Sequence, residues 1–478
     1  MKPWRFGSAL ALLAMLSSCG GGGGGSTGGG NGPVAGTPSP PPTSSTCSLR
    51  SRQDWAAAQL REWYLFPETL PANLDPSPYS TVEAYIDAMT ATARAQRRDR
   101  FFTYLTSIAE ENAFYASGSS AGFGIRLSTD TTGRRVFIME AFEGAPALAA
   151  GLDRGTEILA IGTSSGNLRL VSEIIAAEGA AGVTNALGPS TPGTTRVLRV
   201  TDAKGTREVT VTKADYDLTP VSSRYGAKII DDGGKRYGYL NLRTFISSAD
   251  PALRSAFASF KAQGVNDVVV DFRYNGGGLV SIAELMGDLL GGARSPSDVF
   301  SYTTFRPEKS ANNDTRLFRP QAESVAPTRL AFIGTTGTAS ASELVINAFL
   351  PYYHANEALV GTNTYGKPVG QIAVDRSACD DRFRIIAFKT ENAARGGDYY
   401  DGLATKMEAS CAAGDDFARQ LGDPQEASLR AALDFLEGKS CTRIASSGIG
   451  PLGTKETPRE LLTPERPNTA QREVPGLF

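Results

Sequence analysis

A short run of hydroxyl residues and a lysine 27 residues after Ser340 carry the residue types needed for nucleophilic catalysis. The run, Thr338-Ala339-Ser340-Ala341-Ser342, follows an apolar segment that ends at Ile333 and precedes a helical pattern that begins at Glu343. A serine at a helix N-terminus meets free N–H groups and the positive end of the helix dipole, which stabilise an alkoxide or an oxyanion. The same residues also suit a helix cap, so the run alone does not distinguish catalysis from capping.

Lys367 is the candidate base. It lies in the run Tyr365-Gly366-Lys367-Pro368-Val369, whose apolar side chains can desolvate the amine and lower its pKa, because burial disfavours the ammonium. Catalysis near neutral pH requires that this pKa fall by about 3, which corresponds to about 4 kcal/mol. Gln371 follows four residues later, on the same face if the segment is a strand, where its amide can orient the amine.

The neighbouring residues argue against two other chemistries. Residues 361–367 nearly spell a phosphate-binding Gly-x4-Gly-Lys loop, but Pro368 replaces the hydroxyl residue that would bind Mg²⁺. His354 is the single histidine of the chain. We expect it about 15 Å or more from the serine run, because a helix of about 10 residues separates them. A serine–histidine pair is therefore not predicted.

Alternating strands and helices must position these residues. The pattern predicts the following elements: strands over 237–242, 268–272 and 329–333, and helices over 250–263, 279–290 and 343–350. The strand at 268–272 is almost continuously apolar, as is typical of a buried parallel strand. Ligands of such sheets bind beyond the carboxyl ends of the strands, where the glycine turn 276–278 and the serine run both lie. Residues 218–443 are therefore predicted to form an α/β core of crossover βαβ units.

A β-rich segment over 116–217 precedes the core. Its loop Gly122-Phe123-Gly124-Ile125 and the helix–turn–strand pattern of 145–161 resemble the corresponding parts of a PDZ domain. In that family the loop's N–H groups bind a peptide's terminal carboxylate while the peptide adds a strand to the sheet edge. A small β-barrel that only packs against its neighbours is the alternative.

The N-terminus predicts export and tethering. Residues 1–18 combine positive charge at Lys2 and Arg5 with an apolar run that is too short to span a bilayer. The run ends at Leu16-Ser17-Ser18-Cys19, which resembles a bacterial lipobox with Cys19 as the acylated residue. Residues 19–47 then read as a Gly/Ser/Pro tether. A plain cleaved signal or an uncleaved anchor is the alternative.

These features predict a location in the bacterial cell envelope, lipid-anchored and facing the periplasm. Gly20, which stands where an aspartate would signal retention, favours the outer over the inner membrane. With 48 basic against 50 acidic residues, the net charge of −2 gives no excess positive field to attract nucleic acid. A membrane contact is expected only through the lipid anchor.

Two further segments flank the predicted domains. Residues 48–115 show apolar residues at helical spacing and are predicted to form a helical region. Residues 444–478 are polar and rich in proline and are predicted to be a disordered tail.

Four cysteines remain after Cys19, and an even number in an oxidising compartment predicts two disulfides among three pairings. We expect Cys379–Cys411 and Cys47–Cys441, with free thiols as the alternative. The spacings contain no Cys-x-x-Cys pair, so no metal or redox site is predicted.

Taken in order, the turn 271–278, the serine run and the Tyr-Gly-Lys…Gln run resemble the C-terminal processing peptidases, also called tail-specific proteases. The resemblance covers most of residues 48–443. It implies a serine endopeptidase that needs no metal or organic cofactor, and a PDZ-like module that binds protein or peptide substrates with accessible C-termini.

The resemblance also implies a role for each matching residue. Ser340 would be the nucleophile, Lys367 the general base and Gln371 the residue that orients it, while N–H groups of Ala341 and Gly277 would form the oxyanion hole. The Ser340–Lys367 spacing is a couple of residues longer than the family's, so Ser342 is a lesser nucleophile candidate. Tyr274 and Gly276 depart from the Asn and Pro that are more usual in the family's turn.

A different class of protein also fits the sequence. A catalytically inactive, lipid-anchored scaffold of the cell envelope could use the same PDZ-like groove to bind peptides. The tether and the altered oxyanion turn favour this alternative.

Overall fold

The computed structural model of the chain describes residues 45–130, 132–445 and 459–478. The predicted signal peptide, Cys19 and nearly all of the predicted tether lie outside these residues. The N-terminal region contains the following elements: α1 (Leu49–Trp63), α2 (Val82–Met89), α3 (Ala91–Ala95), β1 (Tyr104–Ser107) and α4 (Ile108–Ser117). None of the helices in the described ranges is both long and apolar enough to cross a membrane.

The β-rich segment follows. Its elements are β2 (Ser119–Gly122), β3 (Ile125–Asp130), β4 (Arg135–Ala141), α5 (Pro146–Ala149), β5 (Glu157–Gly162), β6 (Arg169–Leu170), α6 (Val171–Leu187), β7 (Thr195–Asp202), β8 (Gly205–Thr212) and β9 (Ala214–Asp217). Strands β3, β4, β5, β7 and β8 are neighbours in that order in one sheet, and β6 pairs with β5. Helix α6 packs against β5 and closes one apolar core, to which Ile174, Val183 and Leu198 contribute.

The remaining elements build the predicted core. They are β10 (Ala227–Asp232), β11 (Lys235–Asn241), α7 (Ala249–Ala262), β12 (Val268–Asp271), α8 (Val280–Leu290), β13 (Val299–Phe305), β14 (Asp314–Leu317), β15 (Leu330–Gly334), α9 (Ala341–Tyr353), β16 (Glu357–Gly361), β17 (Val369–Arg376), β18 (Asp381–Glu391), β19 (Ala409–Ala412) and α10 (Ala427–Leu436).

The central sheet has the strand order β10-β11-β12-β15-β16-β19. In this sheet β11, β12, β15, β16 and β19 pair in parallel with their neighbours. Val268 of β12 lies opposite Leu330 of β15. Side chains alternate along β12: Val268 and Val270 pack on the side of α7, α8 and α9, while Val269 packs toward α10. The strand is buried on both faces, which explains its continuous apolar sequence.

A second sheet has the order β1-β18-β13-β14, with β17 also paired to β18. Helices α1 and α2 cover it through an apolar cluster that includes Leu60, Ile86, Phe383 and Ile385. This sheet matters for the site because β17 begins two residues after Lys367.

The predicted disordered tail is wrong for residues 459–478. They form β20 (Glu460–Leu461) and α11 (Thr469–Glu473), and β20 pairs with β3. Polar and proline-rich composition indicated disorder, but most of the large apolar side chains of the segment are buried: Leu462, Val474, Leu477 and Phe478 are each at most 4% exposed. Neighbouring elements thus supply a core that the segment could not form alone.

The predicted disulfide pairing is also wrong. The bonded pairs are Cys47–Cys379, with Cα atoms 5.6 Å apart, and Cys411–Cys441, with Cα atoms 5.3 Å apart. Cys379 lies in the loop between β17 and β18, on the second sheet, whereas Cys411 lies in β19 of the central sheet. The expected bond between them would have to join two different sheets, and the free-thiol alternative is likewise excluded.

Candidate active site

Ser340 lies at the junction between strand β15 and helix α9. Its backbone has φ 56° and ψ −113°, a left-handed conformation that costs free energy in a residue other than glycine. The turn before it is tied to the loop after β12, because Thr338 Oγ1 donates to the Phe272 carbonyl at 2.8 Å and the Ala339 N–H donates to the Asn275 carbonyl at 3.0 Å. The two turns at the carboxyl ends of β12 and β15 therefore contact each other, as the sheet topology requires.

Glu343 joins the serine turn to the lysine turn. Its side chain is fully buried. Oε2 accepts hydrogen bonds from the Ser340 N–H at 3.0 Å and the Lys367 N–H at 2.7 Å, and Oε1 accepts from the Gly366 N–H at 2.7 Å. Burial raises the pKa of this carboxyl, and hydrogen bonds to the carboxylate oppose the rise. The sequence signal for this role was the Ser-x-x-Glu spacing from Ser340, which fits a capping box.

Lys367 is half-buried beside the N-terminal region. Its Nζ donates to Gln371 Oε1 at 3.2 Å and lies 5.0 Å from the centre of the Phe102 ring. Gln371 in turn donates through Nε2 to the Phe102 carbonyl, which fixes the amide's orientation. Burial lowers the pKa of Lys367, and this is the direction that a lysine base requires.

Gly277 lies against the serine turn. A Cβ added at Gly277 would lie 2.8 Å from the Cβ of Ser340 and 3.2 Å from the nitrogen of Ala341, so only glycine fits there. Its φ is 125°, and its N–H donates to Asn275 Oδ1 at 3.0 Å. The preceding amide, of Gly276, donates to the Glu473 carbonyl at 2.9 Å. Sequence analysis did not single out Glu473 as a site residue, because it predicted that the tail is disordered.

Two other sequence candidates lie elsewhere. Ser342 is fully buried, and its hydroxyl donates to the Asn275 carbonyl at 3.1 Å, which ties the helix start to the neighbouring turn. His354 follows the last residue of α9, where it is exposed and contacts Glu408 Oε1 through Nδ1 at 2.8 Å. The 13-residue helix puts it about 20 Å from Ser340.

Tyr274, one of the departures in the glycine turn, contacts the β-rich segment. It has φ 65°, and its hydroxyl donates to Asp415. Arg154, from the turn before β5, donates to the Tyr274 hydroxyl at 3.1 Å and to Asp415 Oδ1 at 2.6 Å. The turn that contains Tyr274 is thus fixed to the β-rich segment through a buried charged junction.

The loop 122–125 is occupied by another part of the chain. The N–H groups of Gly124 and Ile125 both donate to the Phe478 main-chain oxygen, at 2.9 and 3.2 Å, and the Phe478 N–H donates to the Ile125 carbonyl at 2.9 Å. A Cβ added at Gly122 would lie 2.9 Å from the Phe478 carbonyl carbon, so the loop's glycine permits this approach. The loop therefore binds the backbone of Phe478 through its own backbone.

A cavity of about 1160 Å³ reaches Ala339, the residue before Ser340. Its walls include Lys367, Phe102, Tyr274, Gly276 and Glu473. The described residues contain no cluster of histidine, cysteine or carboxylate side chains arranged to bind a metal ion.

Known proteins with similar sequences are peptidases. Residues 236–389 match the model of peptidase family S41. The chain is 30% identical over 276 residues to the chloroplastic C-terminal processing peptidase of Tetradesmus obliquus, covering 55% of this chain and 54% of that protein. It is 26% identical over 356 residues to the carboxyl-terminal-processing protease of Synechocystis sp., covering 72% and 74%. Its match thus spans about half the length of the first of these relatives.

The fold has a counterpart among solved structures. A crystal structure of an S41-family protein from Bacteroides fragilis superposes with a TM-score of 0.62 at 23% identity. The match covers 80% of this chain and 97% of that one. This likeness concerns the fold alone, and it extends well beyond residues 236–389.

Proposed function

We infer from the match of residues 236–389 to peptidase family S41 that the chain is a serine peptidase related to the C-terminal processing peptidases. On this premise, Ser340 is the proposed nucleophile of a serine endopeptidase and Lys367 the proposed general base. One observation carries the proposal. The backbone amides of the two residues donate to the same oxygen of the buried Glu343 carboxylate. The backbones of two residues distant in sequence are thereby held close together. The proposal adds that the Lys367 amine reaches the Ser340 hydroxyl, as an activated nucleophile requires.

The reaction follows from the chemistry of the two side chains. Neutral Lys367 accepts the proton of the Ser340 hydroxyl as Oγ attacks the carbonyl carbon of a peptide bond. N–H groups of Ala341 and Gly277 stabilise the oxyanion, and for this the Gly277 N–H must leave its present acceptor, Asn275 Oδ1. The tetrahedral intermediate collapses, and the lysine ammonium gives its proton to the leaving amine. Water, deprotonated by Lys367, then attacks the acyl-enzyme and releases the second product with Ser340 restored.

Gln371 is assigned a positioning role. It accepts a hydrogen bond from the Lys367 amine, while its own amide group is fixed by the Phe102 carbonyl. This arrangement limits the rotamers of the lysine side chain, so that the amine spends more of its time in a catalytic orientation.

The β-rich segment 116–217 is proposed to be a PDZ-like module that recognises substrate C-termini. Support comes from the loop 122–125, whose Gly124 and Ile125 amides converge on one main-chain oxygen. Support also comes from the edge of β3, which accepts added strand segments through its backbone. A module of this kind provides affinity for the end of a protein substrate while the peptide bond is cleaved elsewhere.

Turnover of unfolded casein tests the peptidase activity. Ser340→Ala and Lys367→Ala are expected to abolish turnover, because each removes one half of the proton-transfer pair. Ser342→Ala is the matched control and is expected to retain it, because Ser342 is a buried structural hydroxyl. Wild-type rates in either of the first two variants would refute the dyad.

A non-catalytic peptide-binding scaffold is the second candidate. It is favoured because both N–H groups of the turn already have acceptors and are not available to an oxyanion: the Gly276 N–H donates to the Glu473 carbonyl and the Gly277 N–H to Asn275 Oδ1. The same casein experiment separates the two functions. Peptide binding without any Ser340-dependent turnover would support the scaffold.

We further propose that Cys19 carries a lipid that anchors the chain to the cell envelope, facing the periplasm and at the outer membrane. The lipobox-like sequence and the tether motivate this assignment. Metabolic labelling with an alkyne fatty acid tests it: the full chain should be labelled and Cys19→Ser should not. Equal labelling of the two chains, or labelling of neither, would refute the anchor.

A further inference from the structure

The last 20 residues lie along the edge of the β-rich sheet. Glu460 and Leu461 pair antiparallel with Thr129 and Ser128 of β3. Farther along the same edge, the Leu127 N–H donates to the Gly476 carbonyl at 2.8 Å, and the Phe478 backbone pairs with Ile125. After a turn at 474–476, Leu477 forms an isolated antiparallel bridge with Arg126. The backbone of residues 476–478 therefore pairs with the sheet edge in the position that we assign to a bound peptide.

Side chains of the segment fill apolar space beside the loop 122–125. Phe478 is 4% exposed and packs in the cluster that contains Phe123, Ile125 and Leu127. Val474 and Leu477 are buried in a second cluster with Phe114. Removal of these apolar side chains from water favours the bound state of the segment. The groove therefore contains a tightly packed ligand that belongs to the same chain.

Between its pairing at 460–461 and its pairing at Phe478, the segment crosses the turn 276–278, which we call the catalytic turn. The Glu473 carbonyl accepts a hydrogen bond from the Gly276 N–H at 2.9 Å, and a Cβ at Gly276 would lie 2.4 Å from the Arg472 carbonyl oxygen. Arg472 Nη1 donates to the Phe101 carbonyl at 3.1 Å, and Thr106 and Thr469 share a hydrogen bond of 3.1 Å. A substrate backbone cannot reach Gly276 while Glu473 is bound there.

The Glu473 side chain also acts on the base. It is buried, and it accepts a hydrogen bond from the Tyr115 hydroxyl at 2.9 Å. Burial lowers the pKa of Lys367, whereas the negative charge of the nearby Glu473 carboxylate raises this pKa. A lysine that retains its proton cannot accept one from Ser340, so the charge of Glu473 works against catalysis.

We propose that residues 459–478 are an intramolecular ligand that fills the peptide groove, covers the catalytic turn and holds the enzyme at low activity until a peptide with a similar apolar, aromatic-ended sequence displaces it. The inference rests on the proposed function, because inhibition presupposes activity. A tethered segment is present at an effective concentration on the order of millimolar, so only a substrate that binds the groove well can displace it. The enzyme would thereby select proteins with an exposed end resembling Val-Pro-Gly-Leu-Phe.

Displacement is tested in the full chain with one disruptive and one conservative variant. Phe478→Asp places a charge in the apolar pocket and should open the groove, whereas Phe478→Leu should leave it occupied. The probe is a fluorescein-labelled peptide with the sequence of residues 469–478, and its binding is followed by anisotropy. We expect Phe478→Asp to bind the probe at least tenfold more tightly than the native and Phe478→Leu chains do. Equal binding by all three chains, or binding by none, would overturn the inference.

Casein turnover is the second readout, and it separates this inference from the proposed activity. Phe478→Asp should cleave casein at least tenfold faster than Phe478→Leu or the native chain. If Phe478→Asp does not fold, Glu473→Gln replaces it, since this change removes the charge beside Lys367 with little change in volume; it should likewise exceed the native rate.

The combined outcomes identify which proposal fails. Tighter probe binding by the opened chain without turnover in any chain would refute the peptidase and leave the groove ligand in place. Turnover that depends on Ser340 but is equal in the native and opened chains would refute self-inhibition and leave the peptidase in place.

Discussion

The backbone amides of Ser340 and Lys367 share a single acceptor, the Oε2 atom of Glu343, at 3.0 and 2.7 Å. Helix α9 supplies the first residue and the carboxylate, while the loop before β17 supplies the second. Helix α9 follows β15 of the central sheet, whereas the loop precedes β17 of the second sheet, so the position of the proposed nucleophile relative to the proposed base depends on this buried link.

Loss of the Glu343 carboxylate should therefore impair both stability and catalysis. Glu343→Ala leaves three buried N–H groups without their acceptor, so we expect it to lower the free energy of unfolding by about 3 kcal/mol. Glu343→Gln retains one carbonyl acceptor and should lose less. Urea unfolding measures the stability, and casein turnover in the folded variants measures the positioning. Unchanged turnover in folded Glu343→Ala would contradict the positioning role.

The dependence of turnover on pH should reveal the lysine. A neutral amine is the active form, so turnover should rise as pH increases through the pKa of Lys367 in the folded protein, which burial lowers below its usual value of 10.5. The charged groups that act on this amine are Glu473, Arg472, Arg384 and Asp99. Because Glu473 raises the lysine pKa, Glu473→Gln should move the rise in turnover to lower pH. A shift to higher pH, or none, would contradict this electrostatic account.

The charged junction at Arg154 should contribute far more to the free energy of unfolding than an exposed ion pair of the same β-rich segment. Arg154 is almost fully buried and contacts Asp415 and Tyr274, so Arg154→Ala should lower the unfolding free energy by about 3 kcal/mol. Arg199→Ala is the matched control: its partner Glu208 is exposed, and we expect a change below about 0.5 kcal/mol. Urea unfolding of both variants provides the comparison, and similar losses would contradict the prediction.

Peptide mapping under non-reducing conditions should recover Cys47 linked to Cys379 and Cys411 linked to Cys441. Cys47→Ser should then destabilise the protein by about 2–4 kcal/mol, because it releases a loop that spans 332 positions. Recovery of a Cys379–Cys411 peptide would contradict the structure.

Local sequence patterns were sufficient for three strands of the central sheet, β11, β12 and β15, and for the helices α7, α8 and α9, but β10, β16, β19 and α10 were not predicted. The apolar run at 268–272 and the amphipathic helix at 250–263 agree with β12 and α7 to within a residue or two, because their burial follows from their own periodicity. Helix α6 was missed. Its sequence is rich in alanine and glycine, and its Gly179 has φ 67°, so the helical pattern is interrupted.

Features that depend on distant contacts could not be predicted. The disulfide pairing depends on which sheet each cysteine joins, and the tail is ordered only because β3 and the loop 122–125 accept it. Residue spacing and the family resemblance identified Ser340, Lys367 and Gln371 as candidate site residues. They did not reveal that Glu473 contacts the catalytic turn, since a segment of such composition gives no local signal of burial.

The central claim is that Lys367 activates Ser340, and covalent labelling with a fluorophosphonate tests it most directly. The probe reacts with an activated serine and is located by mass spectrometry, in the native chain and in Phe478→Asp so that the tail does not mask the site. The account predicts one adduct, on Ser340, that is lost in Lys367→Ala and retained in Ser342→Ala. An adduct on Ser342, or undiminished labelling of Ser340 in Lys367→Ala, would contradict it.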